Sequence, residues 1–215
     1  MNTNEEKTDR SSPGRLIDLA VNRMLSAFTS YYIWRWISQS INVHTKGFKK
    51  NLEVINRYDY FFKQILIDSF ESFVVNLSIF FDKNYPDTFS IYKLIIAVGS
   101  GKREIKQIEE IKKPHHKTIG LLKKLRDEDV VHQALDPRSR PINYESVEKL
   151  FSAVQSILAT LTHKHNRSSW RWEHIEDGVR RDMEWIFDNL KRGEMQRIKD
   201  IEEEYKRKDS QKKNR

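Results

Sequence analysis

From Tyr58 to Phe81 the sequence returns to an apolar residue every three or four positions: Tyr58, Phe62, Leu66, Phe70, Phe73, Leu77 and Phe81. That spacing fits the 3.6-residue turn of an α-helix and not the two-residue repeat of a strand. Val54, Phe61, Ile65, Val74 and Val75 widen the stripe, so the pattern predicts one long helix over 50–81, buried on several sides. Only 7 Gly and 5 Pro occur in 215 residues, too few to punctuate a many-stranded sheet. The expected fold class is all-α, an up-and-down helical bundle.

The remaining elements follow the same logic. Residues 1–13 are polar, end in Ser11-Ser12-Pro13 and read as a disordered lead. A helical pattern begins at Leu16 and runs through Leu19, Met24, Phe28 and Tyr31–Ile37, until His44–Gly47 interrupts it. Asp87 can cap a short helix carrying Ile91, Leu94 and Ile95, and Gly99-Ser100-Gly101 stops it. A charged helix starts near Arg103, Pro114 interrupts it, and the next helical segment spans 117–131. Asp136–Ile142 is a loop with two prolines. Asn143 starts an amphipathic helix through Val147, Leu150, Phe151, Val154, Ile157, Leu158 and Leu161. After a polar connector over 163–169, Trp172, Ile175, Val179, Met183, Ile186 and Leu190 begin a last helix. It continues as a charged arm through Ile198, Ile201 and Tyr205, and frays from Lys206. The organisation expected is a lead over 1–13, a helical domain over 14–190, and an arm with a basic tail over 191–215.

Composition narrows function by exclusion. Without cysteine, the chain has no disulfide, no thiolate metal site and no cysteine nucleophile, which fits a reducing, cytoplasmic setting. The N-terminal residues lack the apolar core of a signal peptide. The most apolar stretch, Phe73–Phe81, is broken by Asn76 and Ser78 and falls far short of the about 20 apolar residues a bilayer span needs, so no membrane is expected. No Gly-rich phosphate loop occurs, since Gly99-Ser-Gly101-Lys102 lacks the glycine spacing. His115-His116 and His163-Lys164-His165 do not put two imidazoles on one helix face, so no metal and no cofactor are expected. The Trp34/Trp36 and Trp170/Trp172 pairs could stack bases, but more often such pairs anchor a core. A net charge of +8 favours polyanionic partners, RNA first among them.

One segment carries groups able to do chemistry. Arg126-Asp127-Glu128-Asp129-Val130-Val131-His132 places a permanent cation, a polar side chain and a titratable imidazole at a helix end, before a basic loop holding Arg138 and Arg140. Cleaving RNA without a metal needs a group to take the 2′-OH proton and a cation for the charge that grows on phosphorus. Histidine and arginine fill those roles. Six residues turn an ideal helix through roughly 600° and advance it about 9 Å, so one unbroken helix cannot aim both side chains at one phosphate. Either the helix breaks before His132 or the site is composite. A similar spacing recurs from Arg167 to His174, but there the arginine lies in a polar connector and is followed by Ser168. The plainer reading of Arg126–His132 is a charged helix end, with Arg126 paired to a nearby carboxylate.

An arginine, a polar residue, and a histidine after four to six intervening residues resembles the motif of the HEPN superfamily, helical proteins that include many metal-independent ribonucleases. Phe80–Ile95, where a long apolar helix ends in Phe81-Asp82 and a Ser-containing helix start follows, is similar to the branch named after the AbiU abortive-infection system. The resemblance covers residues 50–165. It implies a HEPN-like bundle with extra N- and C-terminal helices. It further implies a homodimer that pairs two motifs across its interface, with His132 as general base, Arg126 stabilising the transition state and Asp127 orienting one of them. Arg138 and Arg140 would contact RNA. The expected activity is metal-independent endoribonuclease cleavage leaving a 2′,3′-cyclic phosphate, in phage defence or as a toxin. An antitoxin or a nucleotidyltransferase would be the further partner. The alternative is a non-catalytic helical module that dimerises and binds RNA or a protein.

Overall fold

Helix formation starts at Pro13, whose fixed φ and missing N–H suit a first helical turn. The computed structural model describes residues 13–42, 44, 47–83, 90–127, 142–163 and 172–213, and every regular element among them is helical. In chain order these are α1 (Pro13–Ser40), α2 (Phe48–Arg57), α3 (Asp59–Phe80), α4 (Ile91–Ala97), α5 (Lys102–Lys112), a 3-10 turn (Lys113–His115), α6 (His116–Leu125), α7 (Tyr144–Thr162) and α8 (Glu173–Lys213). Among the described residues no helix is long and apolar enough to cross a membrane.

α1 is the hub. Ser30 meets Ser72 and Trp34 meets Phe70, so α1 and α3 run antiparallel. Phe28 lies against Phe151 and Trp34 against Tyr144, so α7 is antiparallel to α1 as well. Trp172 packs on Phe28 and Phe187 on Trp36, so α8 runs parallel to α1. The rings of Phe28, Tyr31, Trp34, Phe70, Phe73 and Phe151 form a continuous aromatic core, with most pairs tilted or edge-to-face. Trp34 and Trp172 are therefore core anchors, and neither is open to a base.

The single long helix expected over 50–81 is two helices. At Tyr58 the backbone leaves helical geometry (φ −112°, ψ 39°). The hydrogen bonds on either side persist, from the Tyr58 amide to the Val54 carbonyl and from the Phe62 amide to the Tyr58 carbonyl. The element is thus bent rather than severed. α3 packs mainly along α1, whereas α2 touches α8, α1 and α3 to similar extents and buries Val54 and Ile55. Just past the bend, Phe62 meets Phe187 of α8, while Phe61, expected in the core, is 57% exposed.

Two junctions show how local sequence sets the chain's course. α4 ends with Gly99 at φ +61°, its amide bonded to the Ile96 carbonyl and the Ser100 amide to that of Ile95. This is the Schellman arrangement, which needs a left-handed residue after the helix. No heavy atom lies within 4 Å of where a Cβ on Gly99 would sit, so the penalty for a side chain is conformational and not a clash. Gly99→Ala should therefore destabilise the fold by about 1–2 kcal/mol, readable as a lowered urea midpoint with an unchanged slope. A neutral result would mean the turn is not held left-handed. Pro114, for its part, interrupts α5 and α6 only to the extent of the 3-10 turn.

α8 is helical to Lys213, past the fraying expected from Lys206, with Glu203–Arg207 and Glu204–Lys208 pairs one turn apart along its exposed end. Nothing in its backbone marks residue 190. Leu190, Met195 and Ile198 line a groove of about 430 Å³ with Val54 and Tyr58 of α2, and Arg57 pairs with Glu194 at 2.8 Å across it.

Candidate functional site

α6 buries Ile119, Leu122 and Leu125 and packs against α3. Past Leu125 the helix widens into a π turn over residues 126–127, a distortion frequent at functional positions. Arg126 projects from this turn. Meanwhile α3 ends in the buried run Ile79, Phe80 and Phe81, and the Asp82 amide bonds back to the Ile79 carbonyl. Two helix ends 44 residues apart in sequence are thereby brought side to side.

Three charges meet there directly. Arg126 Nη1 donates to Asp82 Oδ2 at 2.9 Å, and Arg126 Nε donates to Asp127 Oδ1 at 2.7 Å. Lys123 Nζ lies 3.9 Å from the other Asp82 oxygen. The Arg126 and Asp82 side chains are 11% and 13% exposed, whereas that of Asp127 is 61% exposed. Burial is the largest influence on Arg126 and opposes its charge, but the hydrogen bonds to Asp127 and Asp82, with the charges of both carboxylates, outweigh it and raise the pKa. The result is a permanent cation with a fixed fork, held from two sides.

Of the residues singled out from the sequence, Arg126 and Asp127 are thus in contact. His132, Arg138 and Arg140 lie outside the described residues, as does the 128–131 end of the helix expected over 117–131. Asp82 and Lys123 were not anticipated as site residues. Asp82 stood in the Phe81-Asp82 pair at the helix end, but its partner could not be read from any local spacing. No group of three or more His, Asp or Glu side chains able to hold a metal ion occurs among the described residues. Burial and the nearby Lys149 lower the pKa of His115, which favours its neutral form.

A second polar cluster ties α1 to α7 and α8. Arg35 pairs with Glu148 and, at 3.5 Å, with Glu176, and its guanidinium stands 5.9 Å from the Tyr144 ring centre. The Tyr31 hydroxyl donates to Glu148 at 3.1 Å and to the Tyr144 carbonyl at 3.3 Å. Burial first, then the Glu148 charge, pushes the Tyr31 pKa well above the phenol range; burial and Glu176 push Tyr32 up to about 12. Both phenols stay protonated at neutral pH, so neither acts as a base, and the cluster fastens α1 to α7 and α8.

No family model, no curated protein and no solved structure matches this chain.

Proposed function

We propose that this chain is a metal-independent endoribonuclease of the HEPN type, acting as a homodimer in phage defence or as the toxin of a toxin–antitoxin pair. The observation that carries the reading is Arg126, a cation fixed by Asp82 and Asp127 at the end of α6, six residues before His132. A net charge of +8 supports a polyanionic substrate.

In this reading the RNA 2′-oxygen attacks the adjacent phosphorus while its proton passes to His132. The P–O5′ bond breaks, and O5′ takes up a proton from His132 of the partner subunit. The products are a 2′,3′-cyclic phosphate and a 5′-hydroxyl. Arg126 stabilises the extra negative charge on the phosphorane oxygens, where a preorganised cation is worth more than in water. Asp127 keeps the guanidinium oriented, and Arg138 and Arg140 hold flanking phosphates.

Incubating purified protein with RNA in excess EDTA tests this directly. Fragments ending in 2′,3′-cyclic phosphate are expected; intact RNA at high protein concentration sinks the reading. A second reading, a non-catalytic module that binds RNA or a protein, is favoured by one observation. α8 leaves Trp185 (73% exposed), Met195 and Tyr205 on its surface, side chains common at interfaces. That reading expects RNA to be bound and left whole.

A further inference from the structure

Two cations and two carboxylates gather where α3 and α6 end. Lys123 and Arg126 are three residues apart on consecutive turns, hence on one face. They address the two oxygens of a single carboxylate, Arg126 Nη1 at 2.9 Å from Asp82 Oδ2 and Lys123 Nζ at 3.9 Å from Oδ1. Asp127 holds Arg126 from its Nε side.

Stability alone is a weak reason for this arrangement. Desolvating an ion pair offsets most of its attraction, and apolar side chains join two helix ends as well or better. The arrangement also poses a problem for phosphate binding. A phosphate that engages Arg126 competes with Asp82, and a carboxylate only 13% exposed is costly to leave without a counter-charge. Lys123 resolves it. Its side chain is 32% exposed and its contact with Asp82 is long for a charged hydrogen bond, so about 1 Å is left to close.

The geometry points to Asp82 as a counter-ion latch on Arg126, with Lys123 as the cation that takes Asp82 over when Arg126 turns to an RNA phosphate. This rests on reading Arg126 as the phosphate-contacting cation. Asp82 and Lys123 are positioning residues: neither touches RNA, and each sets how readily Arg126 is released. The latch keeps the arginine fork oriented and neutralised until a substrate phosphate displaces it.

A double-mutant cycle on RNA affinity separates this device from a structural salt bridge. The probe is a 2′-O-methyl oligoribonucleotide, which lacks the attacking hydroxyl and cannot be cleaved. Asp82→Asn keeps the shape and removes the charge, so it should bind the probe about fivefold tighter. Lys123→Ala makes release of Arg126 unfavourable and should bind about fivefold weaker. In the Asp82→Asn background, Lys123→Ala should lose its effect, because no buried carboxylate is left to compensate. Equal weakening by Lys123→Ala in both backgrounds overturns the latch, since it would mean direct contact between Lys123 and RNA. Unchanged or weaker binding by Asp82→Asn overturns it too. Should Asp82→Asn fail to fold, the wild-type Arg126 Nε–H resonance must shift when the probe is titrated in; an unmoved signal counts against the proposal. Failure of the nuclease reading shows elsewhere, as intact unmodified RNA in EDTA.

Discussion

His132→Ala should slow RNA cleavage by about 10²–10⁴-fold, the range of a lost general base, and Arg126→Ala by about 10²–10³-fold, the range of a lost transition-state donor. The double variant should fall little below the weaker single one, because the two groups act on one transition state as a unit. Arg126→Lys is informative in its own right. Arg126 uses two different nitrogens, Nη1 toward Asp82 and Nε toward Asp127, and an ammonium cannot reproduce that fork. It should recover only part of the rate. Cleavage by wild type in EDTA, followed over time on gels alongside each variant, is the measurement. Melting temperatures must accompany it, because Arg126→Ala removes a hydrogen-bonded cation from the mostly buried Asp82 carboxylate. A variant that keeps its melting temperature and still cleaves at the wild-type rate removes Arg126 and His132 from the chemistry. In that case the interaction-module reading takes over.

Much of the helical framework was legible because it is local. In α7 the residues Val147, Leu150, Phe151, Val154, Ile157, Leu158 and Leu161 are all buried, as their spacing requires. Asn143 caps that helix, accepting a hydrogen bond from the Ser146 amide at 3.0 Å. Gly99 likewise marks its turn in the sequence. The bend at Tyr58 was not legible, for a physical reason. It contains no Pro or Gly and keeps its flanking hydrogen bonds, so no residue in the pattern marks it. Periodicity reports that a face is apolar, not which neighbour covers it. The same limit hid half of the candidate site. Arg126 and Asp127 are adjacent in sequence, so their contact is foreseeable. The Asp82–Arg126 contact spans 44 residues and depends on where two helices end, which no spacing rule encodes. An ion pair of this kind is a consequence of tertiary packing, and its partners become visible only once α3 and α6 lie side by side.

The bend at Tyr58 also separates two phenylalanines that the sequence pattern treats alike, and their truncation should expose the difference. Phe73 is fully buried, with the rings of Tyr31, Trp34 and Phe70 centred 5.5, 5.4 and 5.2 Å away. Those neighbours come from both α1 and α3, so neither helix can close the gap without disturbing the other's packing. Phe73→Ala should therefore destabilise by about 3–5 kcal/mol, the transfer loss plus an uncollapsed cavity. For a chain of this size that corresponds to a melting temperature roughly 10 °C lower. Phe61, one residue before the buried Phe62, is 57% exposed and loses little contact on truncation. Phe61→Ala should change stability by less than about 0.5 kcal/mol. Paired urea titrations of the two variants decide the matter. A straight helix over 50–81 with Phe61 in its buried stripe requires both substitutions to be severe. A bent one requires only Phe73→Ala to be, and a large loss from Phe61→Ala would remove the bend from this fold.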